Sequence, residues 1–277
     1  MVPKTSDPDW IVEPEMTTEI CCGFIRETLA AAGAAGVVIG LSGGIDSAVA
    51  AALAVRALGA ESVLGVFMPY RTSHPDSLSD AKAVAEHLGI ESEYHEITDM
   101  ADSFLAGIPE DALLRRGNVM ARCRMIMLYD LSARDGRLVL GTGNRTETLL
   151  GYATLHGDAA FALNPLGDLY KAKVRLLARH LELPEIVLTK APSADLWEDQ
   201  TDEGELGFTY AEADRLLHHM IDDDLGDQQL VSLGYDKNLV SEVRRRVLAQ
   251  AFKWLPVPYA VVAERPLPNL DALRKRV

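Results

Sequence analysis

The sequence predicts an α/β fold built on a doubly wound parallel sheet, and three observations carry that expectation. Short runs rich in Val, Ile and Leu alternate with longer stretches of helical periodicity, the order that places helices on both faces of a parallel sheet. Two of those runs, 37–39 and 138–140, break into glycine-containing corners just before a helical stretch begins. The 277 residues, 48% hydrophobic and 25% charged, are enough to bury such a sheet.

Taken in order, residues 1–15 are Pro-rich and polar and read as a loose arm. In 16–35 the apolar positions Ile20, Phe24, Ile25, Leu29 and Ala32 recur at helical spacing. A buried strand at 37–39 and an Ala-rich helix at 48–58 follow, with 62–68 a second strand that stops at Pro69. Residues 76–88 form a helix ended by Gly89, and 91–97 a third strand. The stretch 117–133 is a long helix whose apolar face holds Met120, Cys123, Ile126, Met127 and Leu131, a core stripe. After the strand at 138–140, a C-terminal segment from about 205 to 277 is helical and folds onto the same single domain, with 231–247 as one helical piece. Asp222–Asp224 reads as a solvated helix end, and Arg244–Arg246 as a basic surface run.

Charge and cysteines exclude several classes. A net charge of -14 provides no general attraction for nucleic acid. The 3 Cys, two adjacent and one alone, fit neither a zinc site nor a disulfide framework, which suits a reducing cytoplasm. No signal peptide or membrane span is visible.

The chemistry is concentrated in the first corner, Gly40-Leu41-Ser42-Gly43-Gly44-Ile45-Asp46-Ser47. Where a strand turns tightly into a helix, free amides and the positive end of the dipole bind anions, and glycines let a phosphate approach the backbone. The loop has no Lys, so it is not the phosphate loop of common nucleoside triphosphatases. A carboxylate there would repel phosphate unless a cation stood between them, which makes Asp46 a candidate Mg²⁺ ligand. The second corner, 141–147, offers a Thr142 hydroxyl and places Glu147 about one turn into a helix. There it could either favour the helix N-terminus or join Asp46 on the metal. Arg71, just past the second strand, is a secondary candidate for nucleotide contact, and Arg122 and Arg124 lie on different sides of the long helix.

The first loop resembles the Ser-Gly-Gly-x-Asp-Ser loop of ATP pyrophosphatases, which split ATP between the α and β phosphates. Residues 118–129, 141–147, 151–158, 164–171 and 192–203 resemble, in the same order, the ammonia-dependent NAD synthetases. The resemblance covers most of the chain. It implies an adenine nucleotide α-hydrolase-like, Rossmann-like fold and an amide synthetase that adenylates deamido-NAD and releases AMP and pyrophosphate. By motif, 40–47 with Thr142, Lys171 and Ser193 would hold ATP, Asp46 and Glu147 would bind Mg²⁺, and Arg122 and Lys253 would face the acid. Asp158 is the candidate to take a proton from ammonia. A homodimer is also implied, with a small-molecule carboxylate and ammonia as the other partners.

Four positions depart from the family pattern. Leu155 stands for a lysine and Ala162 for an aspartate, both on the dinucleotide side, and Phe252-Lys253-Trp254 stands for His-Lys-Arg. These changes make the acid pocket more apolar, so a different, more apolar acid is the alternative substrate. A non-catalytic nucleotide-binding protein is a third reading, opposed by the intact Asp46, Glu147 and Lys171.

Overall fold

The computed structural model describes residues 13–193, 197, 200–258, 260 and 262. Most of the expected N-terminal arm and the end of the C-terminal tail lie outside them. Residues 14 and 15 already belong to a helix. This helix, α1 (Pro14–Ala32), leads into β1 (Gly36–Gly40), α2 (Ile45–Leu58), β2 (Val63–Phe67), α3 (Pro75–Leu88) and β3 (Glu91–Tyr94). Next come α4 (Thr98–Leu105), α5 (Leu113–Asp135), β4 (Arg137–Val139), α6 (Arg145–Leu150) and α7 (Lys171–His180). The remaining helices are α8 (Glu185–Thr189), α9 (Asp202–Leu206), α10 (Tyr210–Leu217), α11 (Asp227–Ser232) and α12 (Lys237–Gln250).

The four strands pair in parallel in the order β3-β2-β1-β4, which puts the apolar β1 and β2 in the centre. One core packs α1, α2, α3 and α7 on one face through Ile25, Leu53, Val84 and Leu177. A second packs α4 and α5 on the other through Ala101, Met120, Cys123 and Leu131. A third joins α6 to the C-terminal helices through Leu149, Leu150, Tyr210, Leu216 and Val243. With helices on both faces, ligands are expected at the carboxyl ends of the strands, and both glycine-containing corners lie there.

Four expectations change. The third strand stops at Tyr94, because its partner β2 runs into Pro69, which has no N–H to continue the ladder. His95 N and Ile97 N still donate to Phe67 O and Pro69 O. The segment 231–247 is two helices, divided at Gly234 with φ +96° and restarted by the Asp236 cap. On α5, Ile126 departs from the core stripe and is 53% exposed. The acidic run is not simply solvated, because Asp222 accepts from Tyr170 Oη at 2.7 Å and pairs with Arg145. In the basic run, Arg244 pairs with Asp227 and Arg246 with Glu242.

Candidate active site

The first corner folds as its sequence requires. Gly44 caps α2 without a side chain of its own, so the amides of the first turn stay available to a ligand. Gly43 has φ +74°, and a Cβ there would meet Ser77 O at 2.4 Å; only glycine fits both the turn and the approach of α3. Ser42 and Ser47 brace the loop: their hydroxyls lie 3.2 Å apart, Ser42 Oγ accepts from Gly44 N at 3.2 Å, and Ser47 Oγ donates to Gly44 O at 3.0 Å. Gly40 and Leu41 lead into this loop from β1, and Leu41 N donates to Val66 O of β2 at 2.9 Å. Ile45 is buried behind it.

The second corner is brought to the first by a hydrogen bond. Asn144, fully buried, caps α6 by accepting from Glu147 N at 3.0 Å, and Glu147 Oε2 accepts from Asn144 N at 3.3 Å. Asn144 Nδ2 then donates to Asp46 Oδ1 at 2.9 Å. Between the two corners lies Lys171, the first residue of α7 and only 2% exposed. Its Nζ donates to Asp46 Oδ2 at 2.5 Å and to Glu147 Oε1 at 3.0 Å, and sits 4.8 Å from the Tyr210 ring centre. Tyr210 Oη donates to Asp202 Oδ2 at 3.0 Å.

One cation shared by two carboxylates leaves an excess of negative charge. Burial pushes the Glu147 carboxyl up to about 7, with Lys171 opposing the shift and Asp46 adding to it. Burial also works against the Lys171 ammonium, but Asp46 and Glu147 outweigh it and hold that group above the ordinary lysine value. The two carboxylates therefore already converge on a cation. Among the described residues no cluster of three or more His, Cys, Asp or Glu side chains could hold a metal alone. A Mg²⁺ site of one or two carboxylates completed by phosphate oxygens needs no third protein ligand, and the donor set fits it.

The structure thus brings Asp46, Glu147 and Lys171 together beside the loop 40–47. Thr142 lies half-buried at the mouth of β4, and Ser193 lies exposed on the segment after α8. The expected acid-side groups gather instead around the loop 151–158. Arg122 Nη2 donates to Leu155 O at 3.1 Å, and Lys253 Nζ donates to Gly151 O at 2.6 Å and Ala153 O at 2.8 Å. Burial lowers the Lys253 pKa and nearby Asp158 opposes that shift. Asp158 is exposed, and its Oδ1 accepts from Thr154 N at 2.7 Å. Ala162 is exposed, with its amide donating to Val139 O at 2.9 Å. Arg71 pairs with Asp102 on α4, and Arg124 Nε donates to Met68 O at 3.0 Å, tying α5 to the end of β2.

Sequence reasoning did not find Asn144, Thr146, Asp202, Tyr210 or Asp214. For Asn144 a signal was present, since Asn followed by Glu three residues later is the capping-box pattern. Thr146 and Asp214 meet partners 25 to 68 residues away, and the Tyr210–Asp202 bond, eight residues apart, bridges two separate helices, so neither leaves a local pattern.

The chain matches the family model described as NAD synthase over residues 17–256. It is 51% identical to the NH(3)-dependent NAD(+) synthetase of Chlorobium phaeovibrioides, covering 93% of this chain and 92% of that protein. Among solved structures, the NH3-dependent NAD synthetase from Campylobacter jejuni is 35% identical with a TM-score of 0.77, over 90% of this chain and 99% of that one. The NMN synthetase from Francisella tularensis is 32% identical with a TM-score of 0.80, again over 90% and 99%.

Proposed function

The chain belongs to the NAD synthase family, and on that premise we propose that it is an ammonia-dependent NAD synthetase, an AMP-forming ligase that makes an amide C–N bond. The carboxylate of deamido-NAD attacks the α phosphorus of ATP and pyrophosphate leaves. Ammonia then attacks the acyl carbon of the adenylate, AMP leaves, and the amide is NAD. The observation that carries this reading is the convergence of Asp46, Glu147 and Lys171 beside a Lys-free Ser-Gly-Gly loop at the carboxyl ends of β1 and β4.

In this reading the amides of 40–47 hold the phosphates, where charge grows as pyrophosphate departs, and Thr142 and Ser193 add hydroxyl contacts to ATP. Lys171 exchanges a carboxylate for a phosphate when ATP arrives, so its charge is in place before the bond breaks. Asp46 and Glu147 hold Mg²⁺, which when bound offsets phosphate charge. Arg122 and Lys253 are the acid-side cations, and Asp158 accepts the proton that attacking ammonia must lose. The helices from about residue 205 onward serve the same domain. A cytoplasmic location is supported by the three free cysteines, Cys21, Cys22 and Cys123, and no helix among the described residues is long and apolar enough to cross a membrane.

A second reading, a different acid, draws on Leu155, Ala162 and Phe252 and on the likeness to an NMN synthetase. AMP, ADP and pyrophosphate should be measured with ammonium and a panel of deamido-NAD, the deamido form of NMN and simple apolar acids. The expected result is equal AMP and pyrophosphate with deamido-NAD and no ADP. Turnover confined to another acid would replace the substrate, and stoichiometric ADP would overturn the reaction.

A further inference from the structure

Helix α7 begins at Lys171, yet its cap residue Tyr170 makes no side-chain hydrogen bond to the amides of the first turn. Those amides are met from two other helices. Thr146 Oγ1 on α6 accepts from Lys171 N at 3.0 Å, and Asp214 Oδ2 on α10 accepts from Ala172 N at 2.7 Å. Thr146 Oγ1 in turn donates to Asp214 Oδ1 at 2.5 Å. Thr146 is 0% and Asp214 1% exposed, so neither side chain is open to water or to a phosphate. A buried carboxylate at a helix N-terminus is favoured by the dipole, and here it caps a helix from outside. The hydroxyl it engages belongs to the residue before Glu147, and the amides it and Thr146 satisfy belong to Lys171 and the next residue.

We propose that Asp214 and Thr146 are a positioning pair for adenylation, fixing the start of α7 and the first turn of α6 so that Lys171 and Glu147 meet Asp46. The proposal rests on the reading that Lys171 and Glu147 act on ATP. It assigns the helical C-terminal part a task in the site: through Asp214 it sets the distance between two groups on separate helices. An error of an ångström in such a distance is enough to slow a reaction by orders of magnitude without weakening substrate binding.

The test uses the full chain with Thr146→Val, which keeps the shape and removes both hydrogen bonds, Asp214→Asn, which removes the charge and one of the two acceptor oxygens, and Thr146→Ser. Steady-state AMP formation and amide hydrogen exchange of the ligand-free protein are the readouts. Thr146→Val and Asp214→Asn should each lower kcat roughly 10- to 100-fold with the KM values for ATP and acid within about threefold, and Thr146→Ser should recover most of the loss. The double variant should be no slower than the worse single one, because the pair acts as a unit. Exchange at Lys171 and Ala172 should quicken while the amides of β1 stay protected. Wild-type kcat in both variants, a Thr146→Ser variant as slow as Thr146→Val, or loss of protection across the whole sheet would overturn the pair as a positioning device. If the wild type formed no AMP with any acid, the functional reading would fall, and unchanged exchange at Lys171 and Ala172 would separately overturn the positioning pair.

Discussion

Asp46 was legible because a carboxylate inside a phosphate loop contradicts simple electrostatics, and Lys171 became legible only through the family motif. What neither signal contained was that the lysine lies between Asp46 and Glu147 and pairs with both. Two consequences follow for substitutions. Asp46→Asn keeps the shape and removes one charge, so AMP formation should fall at least roughly 100-fold while the melting temperature moves little; wild-type turnover in this variant would remove Asp46 from the metal site. Lys171→Met leaves two buried carboxylates without their cation and should cost about 3–5 kcal/mol in chelator. Added Mg²⁺ should then recover part of that loss, since it binds the folded form only, and should stabilise the variant more than the wild type, in which the ammonium competes for the same oxygens. Thermal unfolding with and without Mg²⁺ reads this, and an equal response of both proteins would mean that the two carboxylates are no cation site.

At the scale of elements the apolar runs located β1 and β2, which are buried along almost their whole length, whereas β3, Glu91–Tyr94, is mostly exposed and carries no such run. Boundaries failed where a partner decides them, as Pro69 does for β3, or where a single glycine divides a periodic stretch, as Gly234 does between α11 and α12. Helix α1 illustrates the other side: its spacing identified the helix but could not say which apolar residues face inward. Ile25 and Leu29 are buried against α2, whereas Ile20 is 63% exposed. The inward face carries Cys21 and Cys22, with Cys22 Sγ donating to Leu53 O at 3.5 Å. Burial pushes the Cys21 thiol up to about 11 and raises Cys22 and Cys123 as well. A thiolate is the reactive form, so it is scarce below the folded pKa and appears only as pH rises toward it. At pH 8 the native protein should show none of its 3 thiols to a disulfide reagent within minutes, and all of them once unfolded. Fast modification of Cys21 or Cys22 in native protein would mean that α1 does not pack on α2 as described.

For the whole molecule, the homodimer implied by the family resemblance is a proposal, and the outer face of α5 is where it can be tested. Arg122, Ile126 and Tyr129 follow one another at helical spacing and are all exposed, although this helix also supplies the core with Met120, Cys123 and Leu131. Composition says nothing of this, because scattered surface apolar residues are ordinary; it is their alignment with Arg122, the cation proposed for the acid side, on one face that matters. If a homodimer forms there, assembly and the proposed acid-side group Arg122 share a surface. Ile126→Glu, which buries a charge only in the dimer, should shift sedimentation from dimer toward monomer at micromolar concentration. Because Ile126 lies one turn from Arg122, the same variant should raise KM for the acid at least roughly tenfold while KM for ATP stays within about twofold. A wild-type chain that sediments as a monomer with full turnover would remove the dimer, and a variant that stays dimeric would move the interface off this face of α5.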